Sequence, residues 1–369
     1  MGRICFVFNQ APRYVESSYI LFEREFDIKW CFGSVVGDIK EMDHSLLKDV
    51  TVYDTVRCNS RAYRLKGISE IANDKSISEY VIIGDPQLLD TWSLPLKIRI
   101  YNKKAKILFW THGWYGKETM LKALIKKVYY RLADGILLYG NYARELMIKE
   151  GFKPETLFTI HNSLHHDQQV ALRNSIVPSD IYIDHFKNNN PVLIFIGRLT
   201  KIKQLDLIIN ALAILKKKQE SYNLVFVGDG EERLSLESLV KELKIESNTW
   251  FYGASYDEKI NAELIYNADL CVAPGNIGLT AMHSLVFGCP AVSHNDFKWQ
   301  MPEFEAIHPG ITGDFFERNN VESLAKTISN WFSAHNNERE EIRKACYEEI
   351  DNYWTPEYEL NVLRKALKL

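Results

Sequence analysis

The chain has 369 residues, 46% of them hydrophobic and 25% charged, a balance that excludes a disordered or fibrous protein and is too long for one ordinary core. A formal net charge of −3 argues against nucleic acid as the partner, since such proteins carry a clear basic excess. The six cysteines are scattered without a CxxC pair or a Cys/His cluster at ligand spacing, so buried reduced thiols are expected, with no metal centre and no cofactor.

The start, "MGRICFVFN", runs straight into a strand-like segment without an apolar leader, and Phe6 stands where a myristoylation pattern needs Ser or Thr. No apolar stretch approaches the ~20 residues that span a bilayer, and a cytoplasmic protein is expected. Buried-type strands are predicted at 4–8, 79–84, 106–113, 135–140 and 156–162, with helices at 117–132 and 141–150. Beyond residue 190 the alternation is regular: strand "PVLIFIGR", helix "LDLIINALAILKKKQ", strand "NLVFVGDG", helix "ERLSLESLVKELK", strand "TWFYG", helix "DEKINAELIYNA", strand "DLCVAP", helix "TAMHSLVFG", strand "PAVSHN". Continuous apolar strands alternating with helices predict an α/β protein of parallel, doubly wound sheets. The polar stretch 171–190, ending in three Asn, reads as a linker between a domain at 1–170 and one at 191–335. A helical segment at 336–369, broken near Pro356, is expected to pack back toward the first domain. Ligands in such folds bind beyond the carboxyl ends of the strands, so functional residues are sought just after them.

Three strand ends stand out. Gly197 closes a strand, Arg198 follows, and Lys203 precedes the next helix; two cations there suit a phosphate pair and equally fit a solvated loop. Gly228, Asp229 and Gly230 follow the next strand and fit either a nucleotide approach or a tight turn. In "APGNIGLTAMHSLVFG", Gly275 and Gly278 would expose backbone N–H groups where a helix begins, or simply ease a turn.

Taken in this order and at these intervals, residues 192–332 resemble the family-4 glycosyltransferases of GT-B fold, of the bacterial surface-polysaccharide type. The resemblance rests on Gly197-Arg198-Leu199 with Lys203, on Gly228-Asp229-Gly230, on Phe251 and Gly253, on Tyr266, Ala268, Asp269 and Pro274, and on Gly278, Leu279, Gly288 and Pro290. It implies two Rossmann-like domains facing across a cleft. It also implies that Arg198 and Lys203 hold the diphosphate of a nucleotide-sugar, with the helix start at Gly278, Leu279 and Thr280 beside them. The family carries two glutamates eight positions apart; alignment on Gly278-Leu279 puts Gly275 and His283 there. His283 still offers hydrogen bonds to a ribose hydroxyl, whereas Gly275 offers only backbone. Glu303 and Glu305 in "QMPEFEAI" are candidates for the missing donor contact, or members of a solvated loop.

The first half resembles the family less. His112 ends a strand where the family has a histidine facing the transferred sugar, and Trp114, Tyr115 and Lys117 share its loop. In place of the family's glycine-rich first loop stands "FNQAPRYVE", whose Asn9, Gln10 and Arg13 are assigned only to the acceptor side. Segment 117–132 is a basic amphipathic helix, either an ordinary surface helix or a contact for anionic lipid. The expected activity is transfer of a sugar, with retention, from a nucleotide-sugar (UDP favoured over GDP) to a saccharide or lipid-linked saccharide acceptor. The alternatives are a non-hydrolysing nucleotide-sugar epimerase and a catalytically silent nucleotide-sugar-binding subunit.

Overall fold

The computed structural model describes residues 2–34 and 40–368, which divide into two compact units. The first, Met1–His165 with Trp354–Leu369, is built on β1 (Arg3–Phe8), α1 (Glu16–Glu25), β2 (Ile28–Gly33), β3 (Val50–Tyr53), β4 (Thr55–Arg57), β5 (Tyr63–Leu65), β6 (Ile77–Ile83), α2 (Asp90–Tyr101), β7 (Lys106–Thr111), α3 (Met120–Tyr130), β8 (Gly135–Leu138), α4 (Asn141–Lys149) and β9 (Leu157–Thr159). Seven strands form a parallel sheet in the order β3-β2-β1-β6-β7-β8-β9. Neighbouring residues of its strands enter opposite cores: Cys5, Val7, Ile82 and Phe109 pack with α2, α3 and α4, while Ile4, Phe6, Val81 and Leu108 pack with α1 on the other face. Both faces being apolar, the alternation every second residue disappears from the sequence and a solid hydrophobic run is left. The antiparallel hairpin β4–β5 stands apart from this sheet.

The second unit, His166–Tyr353, contains α5 (His166–Ser175), α6 (Ile181–Phe186), β10 (Val192–Ile196), α7 (Asp206–Lys217), β11 (Asn223–Val227), α8 (Arg233–Glu242), β12 (Thr249–Gly253), α9 (Glu258–Asn267), β13 (Leu270–Val272), α10 (Thr280–Val286), β14 (Ala291–His294), β15 (Gly313–Phe316), α11 (Val321–Ala334) and α12 (Arg339–Tyr353). Its six strands run parallel in the order β12-β11-β10-β13-β14-β15. The order reverses beside β10, the switch point where a doubly wound sheet opens a crevice.

The expected linker at 171–190 needs correction. Most of it is helix, and it belongs to the second unit. Tyr182 and Phe186 of α6 are buried with their rings 6.3 Å from Trp250, and the Tyr182 hydroxyl donates to Leu264 O at 2.6 Å. Two aromatic anchors in six residues, each worth roughly 1.5–3 kcal/mol when buried, outweigh the polar composition around them. The terminal segment also divides. Helix α12 stays with the second unit, whereas α13 (Pro356–Leu367) returns to the first and buries Leu360, Leu363 and Leu367 with Phe6, Phe22 and Trp30. Pro356 fits at the first turn of α13, where its missing N–H removes no helical bond, and Thr355 caps that turn by accepting from Tyr358 N.

Candidate functional site

In the second unit the loops after β10, β11 and β13 are laced together by backbone. Leu199 N donates to Asp229 O (2.9 Å), Glu232 N to Leu199 O (3.0 Å) and Gly275 N to Lys203 O (3.0 Å). The contacts are close enough to demand glycine. A Cβ on Gly228, where φ is +149°, would lie 1.9 Å from Gly197 O, and one on Gly275 would lie 2.1 Å from Ile202 O. Gly275 therefore does not present its N–H to a ligand as expected; the bond to Lys203 O takes it, and Ile277 N is likewise taken by Gln300 Oε1 at 3.0 Å. The small residues of this junction serve to seat Lys203.

Lys203 is half-buried. Its Nζ donates to Asn276 O at 2.7 Å and Asn276 Oδ1 at 3.0 Å. Burial pulls its pKa down to about 8; the buried Glu303 carboxylate pushes upward and the neighbouring Arg198 adds to the fall. A lysine held so near neutrality gains from any dianion that restores its charge. Arg198 is exposed, with no side-chain hydrogen bond among the described residues. Thr280 Oγ1 donates to Ile196 O at 3.1 Å, which ties the start of α10 to the end of β10, with Gly278 and Leu279 just before it.

The other expected donor-site residues separate. Asp229 Oδ1 accepts from Gly230 N at 2.8 Å and its other oxygen pairs with Arg233 at 3.2 Å, so it serves the turn. His283, one turn into α10, lies against α5 and α9, with Nδ1 3.4 Å from Gln169 Nε2 and 3.9 Å from Glu258 Oε1. Glu303 is the carboxylate near Lys203; Glu305 is half-buried on the same turn, Pro302–Ala306.

In the first unit a cavity of about 830 Å³ opens where four neighbouring strands, β1, β6, β7 and β8, end. Asn9 and Gln10 come from the first end, Asp85 and Gln87 from the second, His112 and Tyr115 from the third and Tyr139 from the fourth. His112 Nδ1 is buried without a hydrogen-bond partner among the described residues, and its ring lies 4.6 Å from Tyr139 and 6.3 Å from Tyr115. Burial, with Lys126 nearby, lowers its pKa to about 4, so the imidazole is neutral at physiological pH. Glu118 organises the loop. It accepts from the backbone N–H groups of Tyr115, Gly116 and Lys117 at 3.0, 2.9 and 3.1 Å, and pairs with Lys126 Nζ at 2.6 Å.

Two residues expected on the acceptor side do not line this cavity. Trp114 points into the core between Tyr130 and Phe152, since an indole so large gains more there than at a wet rim. Arg13 is exposed outside the cavity; its neighbours Pro12, Tyr14 and Val15 line the wall instead. Asn9, Gln10, Tyr115 and Lys117 do line it. Asp85, Gln87, Glu118 and Tyr139 were missed, although "IIGDPQ" follows a predicted strand and obeys the strand-end rule that singled out His112.

With both strand-end clusters in view, the chain matches the glycosyl transferases group 1 family over residues 180–349. The matched residues include the Arg198–Lys203 loop and every strand of the second sheet. Over 104 residues, 27% of the chain, it is 38% identical to a GDP-mannose-dependent alpha-(1-6)-phosphatidylinositol dimannoside mannosyltransferase of Mycobacterium tuberculosis. It is 36% identical over 103 residues to glycogen synthase 2 of Nitrosococcus oceani. These matches span only 26% and 20% of the relatives' own lengths. In three dimensions the whole chain is similar to the lipopolysaccharide outer core galactosyltransferase WaaB, with a TM-score of 0.72 at 15% identity over 99% of both chains. It is also similar to Anabaena Alr3699/HepE, solved in complex with UDP, with a TM-score of 0.73 at 15% identity over 100% of both chains. The fold beyond the matched residues is therefore GT-B as well.

Proposed function

We propose that the protein transfers a sugar from a UDP-linked donor to a saccharide or lipid-linked saccharide acceptor, with retention at the anomeric carbon, in the cytoplasm at the inner face of the membrane. The observation that carries this reading is the pairing of exposed Arg198 with half-buried Lys203 at the carboxyl end of β10, within the residues that match the group 1 family. In the reaction an acceptor hydroxyl oxygen bonds to the anomeric carbon while the bond from that carbon to the diphosphate breaks. The hydroxyl proton leaves with the diphosphate. Arg198 stabilises the charge growing there by a forked contact, and Lys203, whose positive charge the dianion holds in place, by its remaining N–H. Asn276 fixes where that N–H points. In the first unit, neutral His112 with Tyr115 and Tyr139 offers an acceptor sugar one polar edge and aromatic faces. No group of three or more His, Cys, Asp or Glu is placed to hold a metal ion among the described residues, and the cations just named supply the charge the departing diphosphate needs.

A thermal-shift screen of UDP- and GDP-sugars tests the donor, because a ligand at a hundred times its Kd adds ~2.7 kcal/mol of apparent stability. A UDP-sugar is expected to raise the melting temperature and to release UDP once acceptors are supplied. An altered sugar on intact nucleotide, formed from donor alone, would instead identify an epimerase.

A further inference from the structure

The face of the first unit formed by α2 and α3 has a composition unlike the rest of the chain. Residues 96–131 hold ten Lys or Arg against one acid, Glu118, in a chain whose net charge is −3. The two helices are neighbours on one side of the sheet: the Trp92 and Tyr129 rings lie 4.7 Å apart, and Tyr129 Oη donates to Thr91 Oγ1 at 2.7 Å. Tyr129 and Tyr130 anchor α3 to the core, and what α3 turns outward is apolar. Met120 is 92% exposed, Leu121 68%, Leu124 60% and Val128 53%; α2 adds exposed Leu96 and Ile100. Exposed lysines flank them, Lys122 on α3 and Lys103 and Lys104 just beyond α2. Among the described residues, acids temper the charge where Glu118 pairs with Lys126, Glu150 with Lys127 and Asp134 with Arg99.

A helix that exposes five large apolar residues, Ile125 being the fifth, between lysines is poorly suited to water. It is well suited to the boundary between lipid headgroups and acyl chains, where apolar side chains sink in and lysines meet phosphate. The cavity is continuous with this face, since Lys122, Ile125 and Lys126 of α3 belong to its lining. We propose that α2 and α3 dock the protein on an anionic lipid bilayer, so that the cavity receives a phosphate-linked lipid saccharide presented from that surface. The acceptor part of this inference rests on the sugar-transfer reading; the docking part does not.

The test is cosedimentation of the full chain with vesicles of phosphatidylcholine alone or mixed equally with phosphatidylglycerol. Binding is expected to the mixed vesicles only and to weaken as salt is raised. Leu121→Ser with Leu124→Ser, both at exposed positions, should weaken it at least tenfold. Lys103→Gln with Lys104→Gln, outside the cavity, should weaken it roughly 30-fold, from ~1 kcal/mol per basic residue. Both variants should keep the wild-type melting temperature and the wild-type shift with UDP. A normal UDP shift without vesicle binding, equal binding to both vesicle types, or variants that bind like wild type would each overturn the docking proposal. Vesicle binding that survives in a protein showing no UDP shift would uphold docking and sink the sugar-transfer reading instead.

Discussion

Replacing Glu359 by Gln should remove a large pH dependence from the stability of the first unit. Glu359 lies on α13, is 3% exposed, and accepts from Ser163 Oγ at 3.1 Å, whose oxygen is 2.7 Å from Ser18 Oγ. Burial raises its pKa from the ordinary 4.5 to about 8, more than the serine hydroxyls can offset. A carboxyl raised in the folded state binds its proton there while the unfolded chain has already lost it. Stability is therefore greatest below the unfolded value, declines as pH climbs, and levels off above the folded one. Between pH 6 and pH 8 this amounts to about 2 kcal/mol, at 1.36 kcal/mol per unit with allowance for half-titration at the upper end. For a unit of this size that is a fall of roughly 4–8 °C in melting temperature. Gln keeps the shape and carries no titrating proton. Melting curves of wild type and Glu359→Gln, followed by circular dichroism across this range, should diverge: the wild type falls and the variant stays nearly level. Other titrating groups act alike on both proteins, so parallel curves would refute the argument.

The sugar-transfer reading makes further demands. Arg198→Ala should lower kcat roughly 100- to 1000-fold with the melting temperature unchanged, as for removal of one donor from a transition-state charge site; steady-state kinetics that match the wild type would end the assignment. UDP affinity should drop about tenfold from pH 7 to pH 9 as Lys203 loses its proton with a pKa of about 8, and titration calorimetry of Lys203→Ala should give weaker binding that no longer varies with pH. His283→Ala should weaken UDP binding several-fold, on the order of one hydrogen bond, with little change in melting; equal affinity would remove His283 from the nucleotide site. Gly228→Ala should melt much earlier than wild type or fail to fold, because its methyl would meet the carbonyl oxygen of Gly197; a normal melting curve would mean that the loops after β10 and β11 are not packed as described.

The doubly wound sheets were legible because buried parallel strands leave solid apolar runs, as in "ICFVF" and "LIFIG". Helices α5 and α6 escaped because their anchoring residues, Gln169, Tyr182 and Phe186, are few and dispersed among polar ones; only the surface of the second unit gives them meaning. At the site, strand-end position pointed to Lys203, beside the loops after β11 and β13, and to His112, in the wall of the first unit's cavity. It could not tell a ligand-facing side chain from one turned inward, which is how Trp114 was misplaced, nor a glycine that meets a ligand from one that meets backbone, as Gly275 does. The acids are instructive too. Glu118 looks in the sequence like a counterion on a basic helix, and only its three backbone partners show that it fixes the loop after His112.

The return of α13 to the first unit bears on how the protein is made. Residues 354–369 complete a core whose other walls, α1 and the first strands, are translated before the second unit. About 190 residues of the second unit emerge in between, which at 5–20 residues per second leaves Phe6, Phe22 and Trp30 uncovered for roughly 10–40 s. The usual order of synthesis is thus inverted: the second unit has all its parts before the first is complete. A chain lacking α13 would keep the loops after β10 and β11 and lose one wall of the first unit's core, a defect that aggregation or chaperone capture during expression would report.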